Sequence, residues 1–278
     1  MNVCADAFVN SAITGANGGL VVVACDDPSQ HSSQNEQDSR FYADFAMVPC
    51  FEPSDQEEAY HMVREAFGYS EKNHIPVLMR LTTRMAHSRA VVTTDDILEQ
   101  NEIRYPAPER ASAWVTLPAN AKKRVRELAD EILRFREDSE KSSDNSYAPG
   151  TDTSLGIVAC GIGYNYLMEN YPEGCPFPVL KVTRYPFPKK QVMDMAERCG
   201  KILVIEEGQP LIEEKLRGLL YDEKNCKVGI KGRLDGTLPR TGELDPDSVR
   251  KALGMEPLGA CGKSEVPVPR PPALCQGC

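Results

Sequence analysis

His31, Ser32, Ser33, Gln34 and Arg40 fall within one short run, "DDPSQHSSQNEQDSRFY", from Asp26 to Tyr42. A tight turn needs two or three polar residues, and this run is far longer. It is either a solvated connection or a loop built to hold something polar. Arg40 stands where a helix should begin, and an arginine there can offer a bidentate fork to a carboxylate. The amides of a helix N-terminus, with serines and a histidine nearby, suit an anionic or carbonyl ligand. On position alone a solvated surface arginine and ordinary helix caps are the plainer account.

Further along, Arg84, His87, Ser88 and Arg89 form a second histidine loop directly after the apolar "IPVLMRL". Both histidine loops follow strand-like runs, and open α/β sheets bind ligands outside the carboxyl ends of their strands. "GIGYN" after "IVAC" is similar to a nucleotide-binding turn, but its third glycine is absent, so a tight strand-to-helix turn explains it better. Glu206 and Glu207 end a strand-like run before a helix. Paired carboxylates can do acid–base work, although capping the helix and meeting its dipole is the simpler role. Cys275 and Cys278 form C-x-x-C at the last residue. With Cys261 they make at most three thiols, short of a four-ligand zinc or iron–sulfur site.

The elements that would carry these residues alternate between the strand and helix periods. "GGLVVVAC" reads as a buried strand. Ser54 and Glu57 have the spacing of a capping box. Ala59, Met62, Val63, Ala66 and Phe67 follow at helical spacing, in a helix ending near Asn73, before "IPVLMRL" as a further strand. This predicts an α/β domain over residues 1–92 with a parallel sheet and crossover helices. Few strands are visible there, so the domain reads as incomplete at its N-terminal side. Residues 93–153 form a connector. It holds a helix in "PANAKKRVRELADEILRFRED", with Val125, Leu128, Ala129, Ile132 and Leu133 on one face, and then "SEKSSDNSYAPGTDTS" as a flexible linker. Over 154–254, "SLGIVACG", "PVLKV", "KILVIEE" and "KVGIKG" are four strands alternating with helices, a small three-layer α/β domain with a mainly parallel sheet. Its last helix is capped by Asp245 and Pro246 and ends at Gly254. Residues 255–278 are a Pro-rich, extended tail.

A net charge of −9 leaves no evident basic face for nucleic acid and disfavours anionic membranes. No apolar run approaches the ~20 residues of a membrane-spanning helix, and no secretory leader is visible. Ten cysteines lack the spacing of a disulfide framework, so reduced thiols in a cytoplasm are expected. Cys25 and Cys160, in apolar runs, read as buried core residues.

Taken together, "DDPSQHSSQNEQDSRFYADFAMVPCFEPSD", "IPVLMRLTTRMAHSR", "PFPVLKVTRYPFP", "ILVIEEGQPLIEE" and "LPRTGELDP" resemble the alpha subunits of the indolepyruvate ferredoxin oxidoreductases. The blocks occur in that family's order and span nearly the whole chain, "HSSQNEQDSR" being the most specific. These are thiamine-diphosphate-dependent 2-oxoacid:ferredoxin oxidoreductases of anaerobes. The resemblance implies oxidative decarboxylation of arylpyruvates to aryl-acetyl-CoA, with electrons passed through [4Fe–4S] clusters to ferredoxin. It implies a partial pyrimidine-binding domain followed by a transketolase-C-like domain. The glutamate that activates the cofactor would lie before this chain, and the Mg²⁺-diphosphate motif after it. By the same resemblance Arg40 meets the substrate carboxylate and His31 lines that cleft. Ser32, Ser33 and Gln34 face the cofactor, and Cys275 and Cys278 are the opening ligands of a cluster. The implied partners are a beta subunit, ferredoxin, coenzyme A and the arylpyruvate, in a hetero-oligomer.

The expectation is therefore a piece of the catalytic alpha subunit, inactive alone. Two readings stand beside it: a split enzyme completed in trans, and a non-catalytic α/β scaffold that binds partner subunits.

Overall fold

The two apolar runs that bracket the polar loop become neighbouring strands. The computed structural model describes residues 1–95, 114–222, 228–256 and 258. In it β1 (Val21–Asp26), β2 (Cys50–Phe51) and β3 (Val77–Thr82) form a parallel sheet in the order β1-β3-β2, with Val21 opposite Val77 and Asp26 opposite Thr82. Alternate residues feed two cores. Ala24 and Leu78 pack with Phe8 and Ala12 of α1 (Ala5–Thr14) and with Ala43 and Ala46 of α2 (Arg40–Ala46). Val77 and Met79 pack against Met62 and Ala66 of α3 (Gln56–Asn73).

Two expectations need correcting here. The cap of α3 is Asp55, which accepts from the Glu58 amide at 2.8 Å, while Glu58 reaches back to the amide and hydroxyl of Ser54. The cap thus lies one residue on from Ser54, and Glu58 rather than Glu57 makes the return bond, to Ser54. Cys25 is exposed rather than buried. Among the described residues β1 is an edge strand, and α3 leaves its outer face open, with Val23 52% exposed.

After α4 (Thr83–His87), α5 (Pro118–Lys141) buries Leu128, Phe135 and Ser139. Val125 and Leu133, expected on its inner face, are exposed. The helix is rotated so that the row through Phe135 meets Tyr69 edge-on, 6.1 Å between ring centroids. The stretch expected as a flexible linker is structured. Asn145 is buried, donating to Ser139 O, Ser139 Oγ and Arg184 O and accepting from the amides of Thr183 and Arg184. β4 (Tyr147–Ala148) then joins the second sheet.

That sheet runs β4-β6-β5-β8-β9, with β5 (Gly156–Cys160), β6 (Val179–Val182), β8 (Lys201–Ile205) and β9 (Gly229–Lys231) parallel to one another and β4 antiparallel. All four strands expected from the sequence are present. Central β5 is buried on both faces, as its unbroken apolar run requires. Ile157 and Ala159 face α6 (Gly163–Met168) and α9 (Pro246–Ala252). Val158 and Cys160 lie in the core shared with α7 (Lys189–Arg198) and α8 (Leu211–Asp222). Asp245 caps α9 in a full capping box with Ser248. β7 (Arg184–Tyr185) leaves the second unit and pairs antiparallel with β2, so the first sheet is finished by a strand of the second.

Asn145 makes that crossing rigid, because it satisfies both amides of the β6-to-β7 step. Asn145→Ala leaves those two buried N–H groups unpaired, and we expect it to lower stability by about 2–4 kcal/mol. Urea denaturation followed by circular dichroism checks this; an unchanged midpoint would show that the amides find other acceptors.

Candidate functional site

The carboxyl ends of both sheets point at each other, and the residues there are charged. Asp26, Asp38, Glu52, Glu206 and Glu207 meet Arg40, Arg80 and Arg233, all buried. Each guanidinium nitrogen has an acceptor. Arg40 gives Nε to Asp38 at 2.9 Å, Nη1 to Glu206 at 2.9 Å, and Nη2 to Asp38 at 2.5 Å and to the carbonyls of Glu207 and Gln209. Arg80, in mid-strand on β3, gives Nε to Asp26 at 2.6 Å, Nη1 to Glu52 and Nη2 to Glu207 O at 3.0 Å. Arg233 gives Nη2 to Glu207 at 3.1 Å and its remaining donors to backbone carbonyls, including Glu206 O.

The carboxylates use backbone amides as well. Glu206 accepts from Ile212 and Glu213 at the start of α8, the capping role expected for it. Glu207 does something else: it accepts from Leu244 N at 3.0 Å, on the loop before α9. Glu52 takes the Tyr185 hydroxyl at 2.5 Å and fills the turn after β5. Glycines make this approach feasible. A Cβ on Gly161, at φ +48°, would lie 2.6 Å from Glu52 Cγ, and one on Gly208, at φ +92°, 2.8 Å from Asp38 Oδ2. The "GIGYN" turn is thus a tight strand-to-helix turn occupied by a side chain of the first sheet.

Burial and neighbours divide the carboxyls. Burial works to raise Asp38, but Arg40 and Arg80 overcome it and hold the group at about 2. Burial prevails at Glu206, which is raised despite Arg40, and at Glu207, pushed up to about 7 against the pull of Arg233. Arg233 is itself pulled down by burial, so dehydration outweighs mutual attraction in that pair. Arg40 is raised well above its ordinary value in spite of burial, first by Asp38 and then by Glu52 and Glu206.

The structure therefore separates the residues singled out in the first polar run. Arg40 is 1% exposed and its Nε–Nη2 edge is filled by Asp38, a partner two residues away, so that edge is not open to a ligand. His31, Ser32 and Gln34 are exposed and Ser33 is partly so. Asp27 closes the base of this loop, accepting from Ser32 N at 3.0 Å and from the Thr83 hydroxyl at 3.0 Å. Asp26 ties the loop's far end by accepting from the amide and hydroxyl of Ser39. The second histidine segment comes alongside, as the shared placement after strands predicts, because β1 and β3 are neighbours, but Arg84 and His87 lie on the short helix α4 rather than on a loop. His87 and Arg89 are exposed there. Cys275 and Cys278 lie outside the described residues.

Sequence reasoning missed Glu52, Arg80, Asp38, Arg233 and Glu243. One signal was available: an arginine inside "VLMRL" is a charge in a buried strand, and it requires a buried partner.

A cavity beside Arg40, lined by Ala43, Val48, Cys50, Tyr185 and Phe187, has about 20 Å³ of free space, room for one water. Ligand pockets usually span about 300–1,000 Å³. A thiamine cofactor does not fit in this cavity, and the exposed loop offers one side of a site only. Among the described residues no cluster of His, Cys, Asp and Glu could hold a metal ion, and no helix is long and apolar enough to cross a membrane.

No protein-family model matches the chain. Over its whole length it is 38% identical to the indolepyruvate oxidoreductase subunit IorA of Methanothermobacter thermautotrophicus and 34% identical to that of Archaeoglobus fulgidus. It covers 46% of each, so the chain spans about half the length of the curated relatives it matches. Among solved structures, a 2-oxoglutarate:ferredoxin oxidoreductase from Magnetococcus marinus, with 2-oxoglutarate, coenzyme A and succinyl-CoA bound, aligns at TM-score 0.60 and 12% identity. The alignment covers 91% of this chain and 50% of that one, a likeness of fold.

Two outcomes follow from the cluster. Arg40→Lys replaces a five-donor fork by one ammonium group, stranding Asp38 or Glu206. It should cost about 3–5 kcal/mol of stability in denaturant titrations; unchanged stability would place the weight of the interface elsewhere. For Glu207 the native value lies above the unfolded one, near 4.5. Its contribution is then fully present below about pH 4.5 and is lost as pH rises through 7, on the order of 3 kcal/mol. Asp38 acts oppositely, its contribution being lost as pH falls from 3.8 towards 2. Stability measured from pH 5 to 8 should fall in the native chain and stay flatter in Glu207→Gln; equal slopes would exclude Glu207 as the titrating group.

Proposed function

We propose that this chain is part of the alpha subunit of an indolepyruvate:ferredoxin oxidoreductase. The complete enzyme would decarboxylate arylpyruvates oxidatively to aryl-acetyl-CoA and pass electrons to ferredoxin. The observation that carries the reading is 38% identity along all of the chain to a curated indolepyruvate oxidoreductase subunit. The polar loop 27–37 supports it. This loop is fixed at both ends by Asp26 and Asp27, turns its side chains outward, and lies at the carboxyl end of a parallel sheet.

In this reading residues 1–92 complete a pyrimidine-binding domain, and residues 154–254 are the transketolase-C-like domain beside it. His31, Ser32, Ser33 and Gln34 form one wall of the cleft that takes substrate and thiamine diphosphate. Arg40 works behind that wall, as the clamp that sets the loop's far end against β8. Cys275 and Cys278 would begin a cluster-binding segment. The cavity beside Arg40 is too small for a cofactor, and in this reading the diphosphate, its Mg²⁺ and the remaining clusters are held by other surfaces of the complete enzyme. A beta subunit, ferredoxin and coenzyme A are the partners, and a cytoplasmic location fits reduced thiols.

The isolated chain is expected to give no indolepyruvate-dependent, CoA-dependent reduction of ferredoxin. A chimera, in which this chain replaces the matching 46% of a curated relative, should give that activity when assembled with its beta subunit. Turnover by the chain alone, or a folded and assembled chimera without activity, would overturn the reading.

A further inference from the structure

We infer that Glu243, on the loop between β9 and α9, is a positioning residue for His31 and fixes the exposed polar loop in its working shape. That working role rests on the reading above, in which loop 27–37 walls the cleft; the contact itself does not.

Glu243 is 212 residues from His31 in sequence, yet it touches the loop twice. Its Oε2 lies 3.3 Å from His31 Nε2, and its backbone amide donates to Ser29 Oγ at 2.8 Å. Its Oε1 also accepts from Arg84 Nε at 2.8 Å, which ties in α4. Arg84 is held in turn over the Tyr166 ring, 5.7 Å from the centroid.

An exposed carboxylate–histidine pair usually adds little, because two mobile side chains must be frozen together. Here one partner is already fixed. The Glu243 side chain is only 14% exposed, whereas that of His31 is 55% exposed. The next residue, Leu244, donates its amide to buried Glu207, and Arg233 donates to the Gly242 and Pro239 carbonyls on the same loop. The glutamate therefore stands on a base anchored in the ionic cluster, and only the imidazole and its loop are ordered by the contact.

The chemistry of the pair sets the imidazole's orientation. An ionised carboxylate can only accept, so the nitrogen facing Glu243 must carry the proton. His31 is then held as the Nε2–H form, and in its neutral state Nδ1 is left as an acceptor turned away from Glu243. The charged groups around the ring are Glu243, Arg84, which shares that carboxylate, and Asp27, which takes loop amides including that of Ser32. A donor on a bound ligand would meet an acceptor in a fixed place.

The test is hydrogen exchange on the 278-residue chain, comparing the native protein with Glu243→Ala and Glu243→Gln. In Glu243→Ala the amides of residues 29–35 should exchange about tenfold faster, while β8 and α8 stay as protected as in the native chain. Glu243→Gln keeps one acceptor oxygen and should fall between the two. Loop exchange unchanged in Glu243→Ala would overturn the proposal. In the active chimera, Glu243→Ala and His31→Ala should each raise KM for the arylpyruvate more than they lower kcat, and the double variant should add little. Faster loop exchange without any kinetic effect would leave the contact standing and overturn the role of the loop in the cleft.

Discussion

Eight ionisable side chains are sealed between the two sheets, and their dehydration is the constraint that organises the molecule. Asp26, Asp38, Glu52, Glu206 and Glu207 outnumber Arg40, Arg80 and Arg233, so ion pairing alone cannot balance the cluster. The deficit is met by dipoles. Amides of Ser39, Gln209, Ile212, Glu213 and Leu244 and the Tyr185 hydroxyl all donate into the carboxylates. What remains shows at Glu206 and Glu207, the two carboxyls that burial raises. A planar guanidinium fork is directional, so every bond that offsets dehydration also fixes an angle between the sheets. Arg40 and Arg80 both end on the carbonyl of Glu207, which locks the first unit onto the carboxyl end of β8.

That lock has a consequence for where a ligand can go. Open α/β sheets usually keep the crevice beyond their strands' carboxyl ends for ligands. In the second sheet this crevice is filled by Glu52 against Gly161 and by Asp38 and Arg80 against Gly208. The "GIGYN" turn thus spends its ligand-binding geometry on an internal contact. At the first sheet's carboxyl end the polar loop and α4 follow the neighbouring strands β1 and β3, and His31 and His87 are exposed there.

Elements set by local pattern were legible in the sequence: the strands of the second sheet, the span of α3 and the cap of α9 follow directly from period and capping residues. Elements set by tertiary partners were not. The buried row of α5 runs through Leu128 and Phe135 into the larger core, while Val125 and Leu133 of the expected face stay outside it. "SEKSSDNSYAPGTDTS" reads as a linker because its order comes from partners far along the chain: the Asn145 amide bonds backbone at Thr183 and Arg184, and Tyr147–Ala148 pairs with β6. Cys25 carries the apolar signature of a buried strand, but β1 is an edge strand among the described residues and Cys25 is left exposed on it.

Arg40 shows why the site was harder to read than the fold. An arginine after an acidic run can serve a ligand or its own neighbours, and residue type does not decide between them. What decides is whether its acceptors lie within the chain. For Arg40 they all do: Asp38, Glu206 and the carbonyls of Glu207 and Gln209 accept from it before any ligand arrives. The opposite state is a backbone fixed by buried groups whose side chains are left outward, and loop 27–37 is in that state: Asp26 and Asp27 hold its ends, while His31, Ser32 and Gln34 face out. Holding a polar loop still costs conformational entropy. Its order is drawn from the same ionic cluster that fills the other crevice, through Asp26 on one side and Glu207, Leu244 and Glu243 on the other. The interaction that closes one ligand edge is therefore also the one that gives shape to the edge left open.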